Sequence, residues 1–336
     1  EFAASSAATG TITEKRMKPG VAVIYLAGGC FWGLQKLMQA MPGVVSAVSG
    51  YANGDCGEAP TYQLVCTGTT GFREAVRVEY DPEKISLDAL LFAFFRVIRP
   101  EQKDAQGPDR GTQYQSGIYY ADEASGRTVR RIADIERERH SRFFTEVEPI
   151  RCFYDAEDYH QGYLDRNPGG YCHIPHELIR SLKRTVTDPG DYKRPDNARI
   201  ADLLTEDQYR VTQQDATEPP FRNAFWNRFD RGIYVDIVTG EPLFASGDKY
   251  ESACGWPSFS AAIDDNAIVY LEDHSHSMER TEVRSRAGNS HLGHIFQGDR
   301  ESPNGTRYCI NSAALRFVPY EEMEAQGYGD LKRRLF

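Results

Sequence analysis

Apolar positions in the first half of the chain alternate between runs typical of strands and residues spaced along one face of a helix. Strands are predicted near 21–26, 44–51, 73–80, 117–121 and 146–153, and helices near 31–41, 87–98 and 123–138. Leu87, Leu90, Leu91 and Phe94 share one helical face, and Ser86 can cap that helix. Strands and helices mixed in this order favour a two-layer α/β sandwich.

The pattern changes after Thr187, where residues rich in Asp, Pro, Gly and Asn form turns. Beyond a helix near 205–213, short strands are predicted near 232–238, 267–271, 282–285 and 313–318, which is typical of a mainly antiparallel β domain. We therefore expect an α+β chain with an N-terminal domain over 19–187, a linker over 188–200 and a C-terminal domain over 201–336. Residues 1–18 are expected to be a tag or a trimmed N-terminal segment.

Length and charge narrow the class of protein. The 336 residues can bury two cores, and the formal net charge of −10 argues against a nucleic-acid partner. The Arg-rich stretch 127–142 is interleaved with acids, so it is expected to be a solvated helix face. No apolar run approaches the roughly twenty residues that span a bilayer.

Seven cysteines are scattered along the chain, and no two form a CxxC pair. This number and spacing do not resemble a disulfide framework, a zinc knuckle or a thioredoxin-like motif. Cys30 stands between a predicted strand and a predicted helix, flanked by Gly28, Gly29 and Gly33. The amides and dipole at a helix N-terminus favour a thiolate, so we expect a lowered pKa. The alternative is a buried cysteine that packs as a small apolar residue.

A sulfur nucleophile needs groups that protonate a leaving oxygen and a partner that resolves the product. Glu74, Asp109, Tyr62 and Tyr114 are candidates for these tasks. Spacing alone favours a structural role for each of them, on a strand, in a turn or at the edge of a core.

Three motifs carry a family resemblance: GGCFWG at 28–33, GTQYQS at 111–116 and YHQGYLDRNPGGYCHI at 159–174. Together they resemble methionine sulfoxide reductase A over about 21–184, which implies a ferredoxin-like plait. By that resemblance Cys30 attacks the sulfoxide sulfur. The resemblance assigns further roles to Phe31 and Trp32 around the methyl group, Glu74 with Tyr62 and Tyr114 at the oxygen, Asp109 as polar support, and Cys172 as resolving thiol.

Two features of this half leave alternatives open. Cys56, in a Gly-rich loop, competes with Cys172 as resolving thiol, whereas Cys66 and Cys152, in apolar strand-like stretches, are expected to be inert. The sequence 99–101, Arg-Pro-Glu, stands where the family is expected to have His-Asp-Pro. The geometry of the loop that follows is therefore open.

Cys254, His291, His294 and Cys309 in the second half offer the ligands of a tetrahedral zinc site. Structural zinc sites usually present cysteines in close pairs, and both cysteines here are isolated. Ordinary core and turn histidines are the other alternative.

The longer motifs of this half are CGWPSF at 254–259, HLGHIF at 291–296 and RYCINS at 307–312, preceded by ATEPPF at 216–221. They resemble methionine sulfoxide reductase B over about 202–335. By that resemblance Cys309 is the nucleophile and Cys254 resolves it. The resemblance also places His294 and His291 at the sulfoxide oxygen, Trp256 at the methyl group, and Arg307 and Asn311 around the thiol, and Arg307 can lower the pKa of Cys309.

Two departures from this second family matter. The CxxC pairs that bind a structural zinc in many members are absent from the sequence, which implies a zinc-free form. The acid after the histidine motif is shifted by one position, which leaves open whether Asp299 fills the family's acidic position.

The two resemblances together imply an enzyme that reduces both epimers of methionine sulfoxide, free and in proteins, because each epimer calls for its own enzyme. Electrons would enter from thioredoxin by thiol exchange, with no cofactor and no metal. A monomer is expected, in the cytoplasm or, alternatively, in the cell envelope or secreted. The competing functions are a cysteine hydrolase in which His160 or His173 is the base, and a zinc-dependent interaction module.

Overall fold

The computed structural model describes residues 19–335, so the predicted tag over 1–18 lies outside the described residues. The chain divides into two compact units, the first ending at Arg184 and the second beginning at Thr185. The stretch 188–200, expected to be a linker, falls within the second unit, where a helix begins at Asn197. Within the described part of the chain, no helix is both long enough and apolar enough to cross a bilayer.

The first unit contains eight strands and six helices among the described residues. The strands are β1 (Ala22–Ala27), β2 (Val44–Ala52), β3 (Arg73–Tyr80), β4 (Ala105–Gln106), β5 (Asp109–Arg110), β6 (Gly117–Tyr120), β7 (Glu146–Pro149) and β8 (Phe153–Asp155). The helices are α1 (Phe31–Ala40), α2 (Tyr62–Cys66), α3 (Leu87–Val97), α4 (Glu123–Glu138), α5 (Tyr163–Arg166) and α6 (His176–Leu182).

Six strands form one mixed sheet in the order β7-β6-β1-β3-β2-β8, and β4 pairs with β5 separately. The single strand predicted over 146–153 is wrong, because β7 and β8 lie on opposite edges of this sheet. Only residues 150–152 separate them, so the two edges approach each other at this end. Asn53, just after β2, closes the gap: its side chain donates to the Pro149 carbonyl and accepts from the Arg151 amide.

Helices α1 and α3 supply apolar residues to the core of the first unit. Leu34, Leu37 and Met38 of α1 and Leu90 and Leu91 of α3 are fully buried. Each such side chain contributes about 1.5–3 kcal/mol by leaving water. The same packing fixes the start of α1 against the end of β1, which is where Cys30 lies.

Among its described residues, the second unit holds two antiparallel sheets and two α-helices. Its elements are α7 (Asn197–Leu203), α8 (Glu206–Gln213), β9 (Gly232–Asp236), β10 (Pro242–Ala245), β11 (Lys249–Tyr250), β12 (Ser258–Phe259), β13 (Ile268–Asp273), β14 (Arg280–Ser285), β15 (His291–Gln297), β16 (Thr306–Ile310) and β17 (Leu315–Pro319). The sheet orders are β10-β9-β17 and β11-β12-β16-β15-β14-β13.

The expected mainly antiparallel β fold of this half is confirmed, but β15 and β16 were not predicted from the sequence. Both strands lie inside the six-stranded sheet, and both carry candidate site residues. Their glycines, histidines and polar residues hide the apolar alternation on which strand prediction depends.

Candidate functional sites

Cys30 occupies the junction between β1 and α1, with a side chain that is only 8% exposed. Burial, followed by the negative charge of Glu74, raises the pKa of this thiol. The backbone amide of Trp32 bonds the sulfur and lowers the pKa, as a helix N-terminus should, but it is outweighed. The prediction of a lowered pKa is therefore wrong, and the resting residue is a thiol.

Glu74, on β3, is 1% exposed and lies beside this junction. Its Oε2 accepts the backbone amide proton of Phe31 at 3.1 Å. Burial raises the pKa of Glu74 to about 8. At neutral pH this carboxyl therefore carries a proton close to Cys30, as a general acid would need to.

Phe31 and Trp32 begin α1 and belong to an aromatic wall centred on His160. The Trp32 indole stacks on Tyr163 with 3.8 Å between ring centroids and donates its proton to Nδ1 of His160 at 3.2 Å. The buried His160 ring lies 5.1 Å from Phe31 and 4.5 Å from Tyr62. Because Nδ1 already accepts the indole proton, His160 serves this wall and is unsuited to be the base of a hydrolase.

Glu157 and Tyr51 complete the wall, and the sequence analysis assigned neither a role. Glu157 accepts the Tyr62 amide at 2.8 Å and the Tyr51 hydroxyl at 2.7 Å. Neither contact leaves a sequence signal, because both partners lie far from Glu157 along the chain. For the other two residues of the wall, His160 and Tyr163, the sequence did offer a signal, because both lie inside the 159–174 motif.

Tyr114 and Asp109 approach the same junction from the segment between α3 and β6. Burial, followed by the charges of Glu74 and Cys30, raises the pKa of Tyr114. Asp109, on β5, accepts the Tyr171 hydroxyl at 3.0 Å, and its charge acts on Cys30. Tyr114 and Asp109 thus lie within electrostatic reach of Cys30, and Tyr62 joins the site through its ring contact with His160.

The loop after Arg99, left open by the sequence, is tightly held. The Gln106 side chain accepts the Arg99 amide at 2.8 Å and donates to the Arg99 carbonyl at 3.0 Å. A methyl group placed on Gly29 would lie 2.6 Å from Cβ of Gln106. The loop is therefore packed directly against the backbone that presents Cys30.

Cys172 lies over the first turn of α1. A Cβ on Gly33 would be only 3.0 Å from its sulfur, so the glycine of the GGCFWG motif leaves room for this thiol. The thiol donates to the Ile174 carbonyl at 3.1 Å, and burial raises its pKa. Its charge also acts on Cys30, which places the two sulfurs in one site.

The remaining cysteines of this unit depart from the expectations. Cys56 is joined to Cys152 in a disulfide, so Cys56 is not a free rival of Cys172 and Cys152 is not an isolated apolar residue. Cys66 is a free thiol on the last residue of α2, exposed to solvent rather than buried in a strand. The sequence separation of 96 residues hid the disulfide from sequence reasoning.

Cys309, on β16, faces Cys254 in the second unit, with 3.8 Å between the two sulfurs. The hydrogen bond from Cys309, together with those from Ser252 and Ser258, lowers the pKa of Cys254 to about 4, although burial acts in the opposite sense. The same bond and burial raise the pKa of Cys309, and the nearby Arg307 only partly offsets this rise. The pair thus releases one proton readily and the second with difficulty.

His294 lies directly opposite Cys309 in the pairing of β15 with β16. The approach of these strands requires Gly293, because a Cβ there would lie 2.0 Å from the Cys309 carbonyl oxygen. Nε2 of His294 bonds Asp273 at 2.7 Å, and burial lowers the pKa of the ring. A neutral imidazole in a fixed orientation therefore stands next to the nucleophile.

His291 precedes this pair on β15, with its ring centroid 5.7 Å from that of His294. Its Nδ1 bonds Glu282 at 2.6 Å, and its Nε2 has no hydrogen-bond partner among the described residues. The structure therefore brings both predicted histidines to one site.

Trp256 follows the Cys254 turn and is oriented through Glu218. The indole donates to the Glu218 carbonyl at 3.0 Å, and the Glu218 amide donates to Oδ1 of Asn311 at 3.1 Å. The Glu218 carboxylate also accepts the amides of Ser312 and Ala313. Glu218, which the sequence analysis missed as an individual residue, thus joins the expected methyl pocket to the strand of the nucleophile.

Asp299 pairs with Arg307 through Nε at 3.0 Å and accepts the Tyr250 hydroxyl at 2.9 Å. The guanidinium also packs over the Phe296 ring, with 4.7 Å to its centroid. Although shifted by one position along the chain, the acid therefore reaches the arginine beside the two thiols.

Within residues 19–335, the ligand atoms close enough to hold a metal ion belong to Asp215, Glu282 and His291. Nη1 of Arg284 lies 2.8 Å from Asp215 and 2.7 Å from Glu282. A guanidinium that already neutralises both carboxylates disfavours a cation there.

Comparisons with known proteins assign both halves. A family model described as peptide methionine sulfoxide reductase matches residues 22–188, and one described as the SelR domain matches residues 204–319. The chain belongs to the methionine sulfoxide reductases, as a fusion of the A and B types.

Several solved structures are similar to the first half. Mxr1 from Saccharomyces cerevisiae in reduced form shares 37% identity, covering 49% of this chain and 96% of its own, with a TM-score of 0.45. Methionine sulfoxide reductase A of Corynebacterium diphtheriae shares 38% identity, covering 47% of this chain and 80% of its own, with a TM-score of 0.43. Mxr1 has also been solved in complex with Trx2, at 27% identity and a TM-score of 0.32, with 45% of this chain and 91% of that one covered.

Proposed function

We propose that Cys30 and Cys309 are the two nucleophiles with which this reductase acts on the two epimers of methionine sulfoxide. The observation that carries the proposal is that each unit pairs such a cysteine with a second thiol and a fixed ionisable side chain, Glu74 or His294. Two pockets are needed because sulfoxidation makes the methionine sulfur a stereocentre. By their families, the first unit reduces the (S)-sulfoxide and the second the (R)-sulfoxide.

In the first unit, Glu74 holds the proton that the sulfoxide oxygen needs to become a leaving group. Phe31 and Trp32 provide the apolar surface for the methyl group, and Tyr62 and Tyr114 place hydroxyls beside the oxygen. The sulfoxide transfers its oxygen to the thiol, so that Cys30 becomes a sulfenic acid and the substrate leaves as a thioether. Glu74 gives its proton to the sulfoxide oxygen. The resulting carboxylate can then accept the proton that Cys30 loses as its sulfur attacks.

In the second unit, Cys309 and Cys254 together release one proton readily, and Arg307 lies beside the negative charge that this leaves on the sulfur pair. His294 and His291 stand at the oxygen. The single N–H of each neutral ring is donated to a carboxylate, Asp273 or Glu282, so a ring donates its other N–H to the oxygen only after it takes up the proton that the thiol pair releases. Trp256 receives the methyl group. Asn311 and Asp299 hold the surrounding polar groups in place.

Each sulfenic acid then condenses with its neighbouring thiol, Cys172 or Cys254, to give a disulfide and one water molecule. Reopening the disulfide by thiol exchange needs two electrons from a dithiol protein. The complex of the related Mxr1 with Trx2 supports thioredoxin as that donor. The substrates proposed are free methionine sulfoxide and oxidised proteins.

Replacing either resolving thiol should separate reduction from recycling. Cys172→Ser and Cys254→Ser are each expected to form one equivalent of methionine from the corresponding epimer and then to stop when thioredoxin is the reductant. Rapid-quench measurement of methionine per enzyme, followed by steady-state assays, tests this. The epimer reduced by the other unit is the control in each variant and should still be reduced with normal cycling. Undiminished thioredoxin-driven turnover in Cys172→Ser would transfer the resolving role to another thiol, with Cys66 the next candidate.

Asp273→Asn should slow reduction of the (R)-sulfoxide by roughly tenfold or more, since a charged hydrogen bond that fixes His294 is lost. Rates for the (S)-sulfoxide should not change. Glu272→Gln, on the adjacent residue of β13, is the control, because Glu272 pairs with His274 instead. Equal losses in the two variants would mean that Asp273 does not act through His294.

The oligomeric state, the domain bounds and the cellular compartment of this protein stay predictions. Each site is built from residues of a single unit, which supports action as a monomer and domains close to 19–187 and 201–336, joined over 188–200. The cytoplasmic location is weakened by the Cys56–Cys152 disulfide, because such bonds persist in oxidising compartments. That disulfide favours the alternative, the cell envelope or the exterior.

A further inference from the structure

The Cys56–Cys152 disulfide joins two segments that both run into the first site. Cys56 lies in the loop between β2 and α2, six residues before Tyr62. Cys152 lies just before β8, five residues before Glu157. The two segments meet again where Glu157 accepts the Tyr62 amide. The segments 56–62 and 152–157 are therefore linked at one end by the disulfide and at the other by this hydrogen bond. Together they form a closed ring at one wall of the substrate pocket.

The end of this ring that holds the disulfide is firmly built. The Asn53 amide donates to the Cys152 carbonyl at 3.1 Å, and the Tyr154 hydroxyl donates to the Cys56 carbonyl at 2.8 Å. The disulfide thus lies at the seam where β7 and β8 bring the two sheet edges together.

The stretch between the disulfide and the pocket is built very differently. Residues 57–61 have no helix or strand, and Gly57, Glu58, Ala59 and Thr61 are exposed. A segment with so few buried contacts does not hold its own conformation. The position of Tyr62 therefore depends on how its two ends are anchored, by the disulfide before it and by Glu157 beside it.

We infer that Cys56–Cys152 is a brace that positions Tyr62 and its His160 neighbour for the (S)-sulfoxide, and that it stays closed throughout turnover. Only the bond between Cys30 and Cys172 forms and breaks in this unit. The inference deepens the proposed function of the first site, since it concerns how that site binds its substrate.

Thioredoxin is expected to leave the Cys56–Cys152 disulfide intact because its two sulfurs are poorly accessible. Thiol exchange requires the attacking thiolate to reach a disulfide sulfur from outside. Cys152 is 3% exposed, and Cys56 is partly covered with its carbonyl bonded to Tyr154. The Cys30–Cys172 pair, by contrast, forms in a pocket that must admit a substrate.

The first test maps free thiols by alkylation and mass spectrometry in the full-length chain. After reduction by thioredoxin, the expected labels fall on the five free cysteines, Cys30, Cys66, Cys172, Cys254 and Cys309. After oxidation by excess racemic methionine sulfoxide, Cys66 alone should still react. Labelling of Cys56 or Cys152 during thioredoxin-driven turnover would overturn the inference.

The second test compares the Cys56→Ser/Cys152→Ser variant with the unmodified chain. In single turnovers with methyl p-tolyl (S)-sulfoxide, the double variant should need about three- to tenfold more substrate for half-maximal rate, because the wall is misplaced, with little change at saturation. Reduction of the (R)-sulfoxide should be equal in both and is the internal control.

Two results would contradict the brace. One is an unchanged half-saturating concentration in the double variant. The other is an equal loss of maximal rate and affinity together with a lower near-ultraviolet dichroism, which would mean general unfolding of the unit. Both leave the reductase assignment intact, because that is measured by methionine release from the unmodified chain.

Discussion

Replacing Cys30 by serine should lower reduction of the (S)-sulfoxide by roughly three orders of magnitude or more, because a nucleophile knockout removes the reaction itself. Reduction of the (R)-sulfoxide should be unaffected. Cys309→Ser should give the converse result. The measurement is incubation of a racemic methyl sulfoxide with dithiothreitol, followed by chromatographic resolution of the remaining epimers.

This outcome is expected because each unit contains its own proposed nucleophile, a second thiol and an ionisable side chain beside them. The epimer that the unchanged unit reduces is the internal control in each variant. If either single nucleophile variant lost both epimers, the two-site description would fail. If neither lost any, the nucleophiles would have to be sought among the other free thiols.

The second large effect concerns Glu74. Glu74→Gln keeps an uncharged, hydrogen-bonding group of similar size beside the Phe31 amide, but it cannot donate a carboxylic proton. Loss of a general acid costs about 10²–10⁴ in rate. We expect a loss of that size in the single-turnover rate for the (S)-sulfoxide, with the (R)-sulfoxide rate unchanged.

The role of Glu74 as an acid also predicts that the (S)-sulfoxide rate decreases at high pH. The pKa of Glu74 is raised to about 8, so the carboxyl is protonated and active below pH 8 and is lost as an acid above it. The (S)-sulfoxide rate should therefore fall by about tenfold per pH unit above 8. Ionisation of Cys30 does not offset this fall, because burial and Glu74 raise the pKa of that thiol too.

Glu74→Gln should show no such fall between pH 7 and about 9, because its amide does not titrate there. The (R)-sulfoxide reaction of the same molecules provides the internal control at each pH. A profile for the unmodified chain that rises steadily from pH 6 to about 9 would indicate that thiolate formation limits the rate, as in an unperturbed cysteine. Glu74 would then not be the acid.

The two units manage the proton of their nucleophile in different ways. In the first, the protonated carboxyl of Glu74 lies next to the buried thiol of Cys30, so both groups are neutral until the substrate oxygen accepts the Glu74 proton. In the second, two thiols 3.8 Å apart share a proton beside Arg307, while His294 is held neutral. The families thus reach the same chemistry with unrelated folds, which is expected when a site and not a fold determines activity.

Much of the architecture could be predicted from local pattern. Strand β3 and helix α4 were predicted with the bounds that they have, because their apolar spacing and the Asp122 cap act within one element. The strand predicted over 146–153 failed since apolar runs do not say which sheet edge they join. Strands β15 and β16 were missed because their residues were selected for a site, not for alternation.

The amino-acid sequence by itself determined the two-domain α+β organisation, the two nucleophile motifs and the family membership of each half, because these depend on residues close together along the chain. Tertiary structure alone decided the pKa of Cys30, the protonated state of Glu74, the partners of both histidines and the Cys56–Cys152 bond. These properties depend on burial and on charges brought together from distant positions. Such distances are set only when the sheets close and water leaves the site.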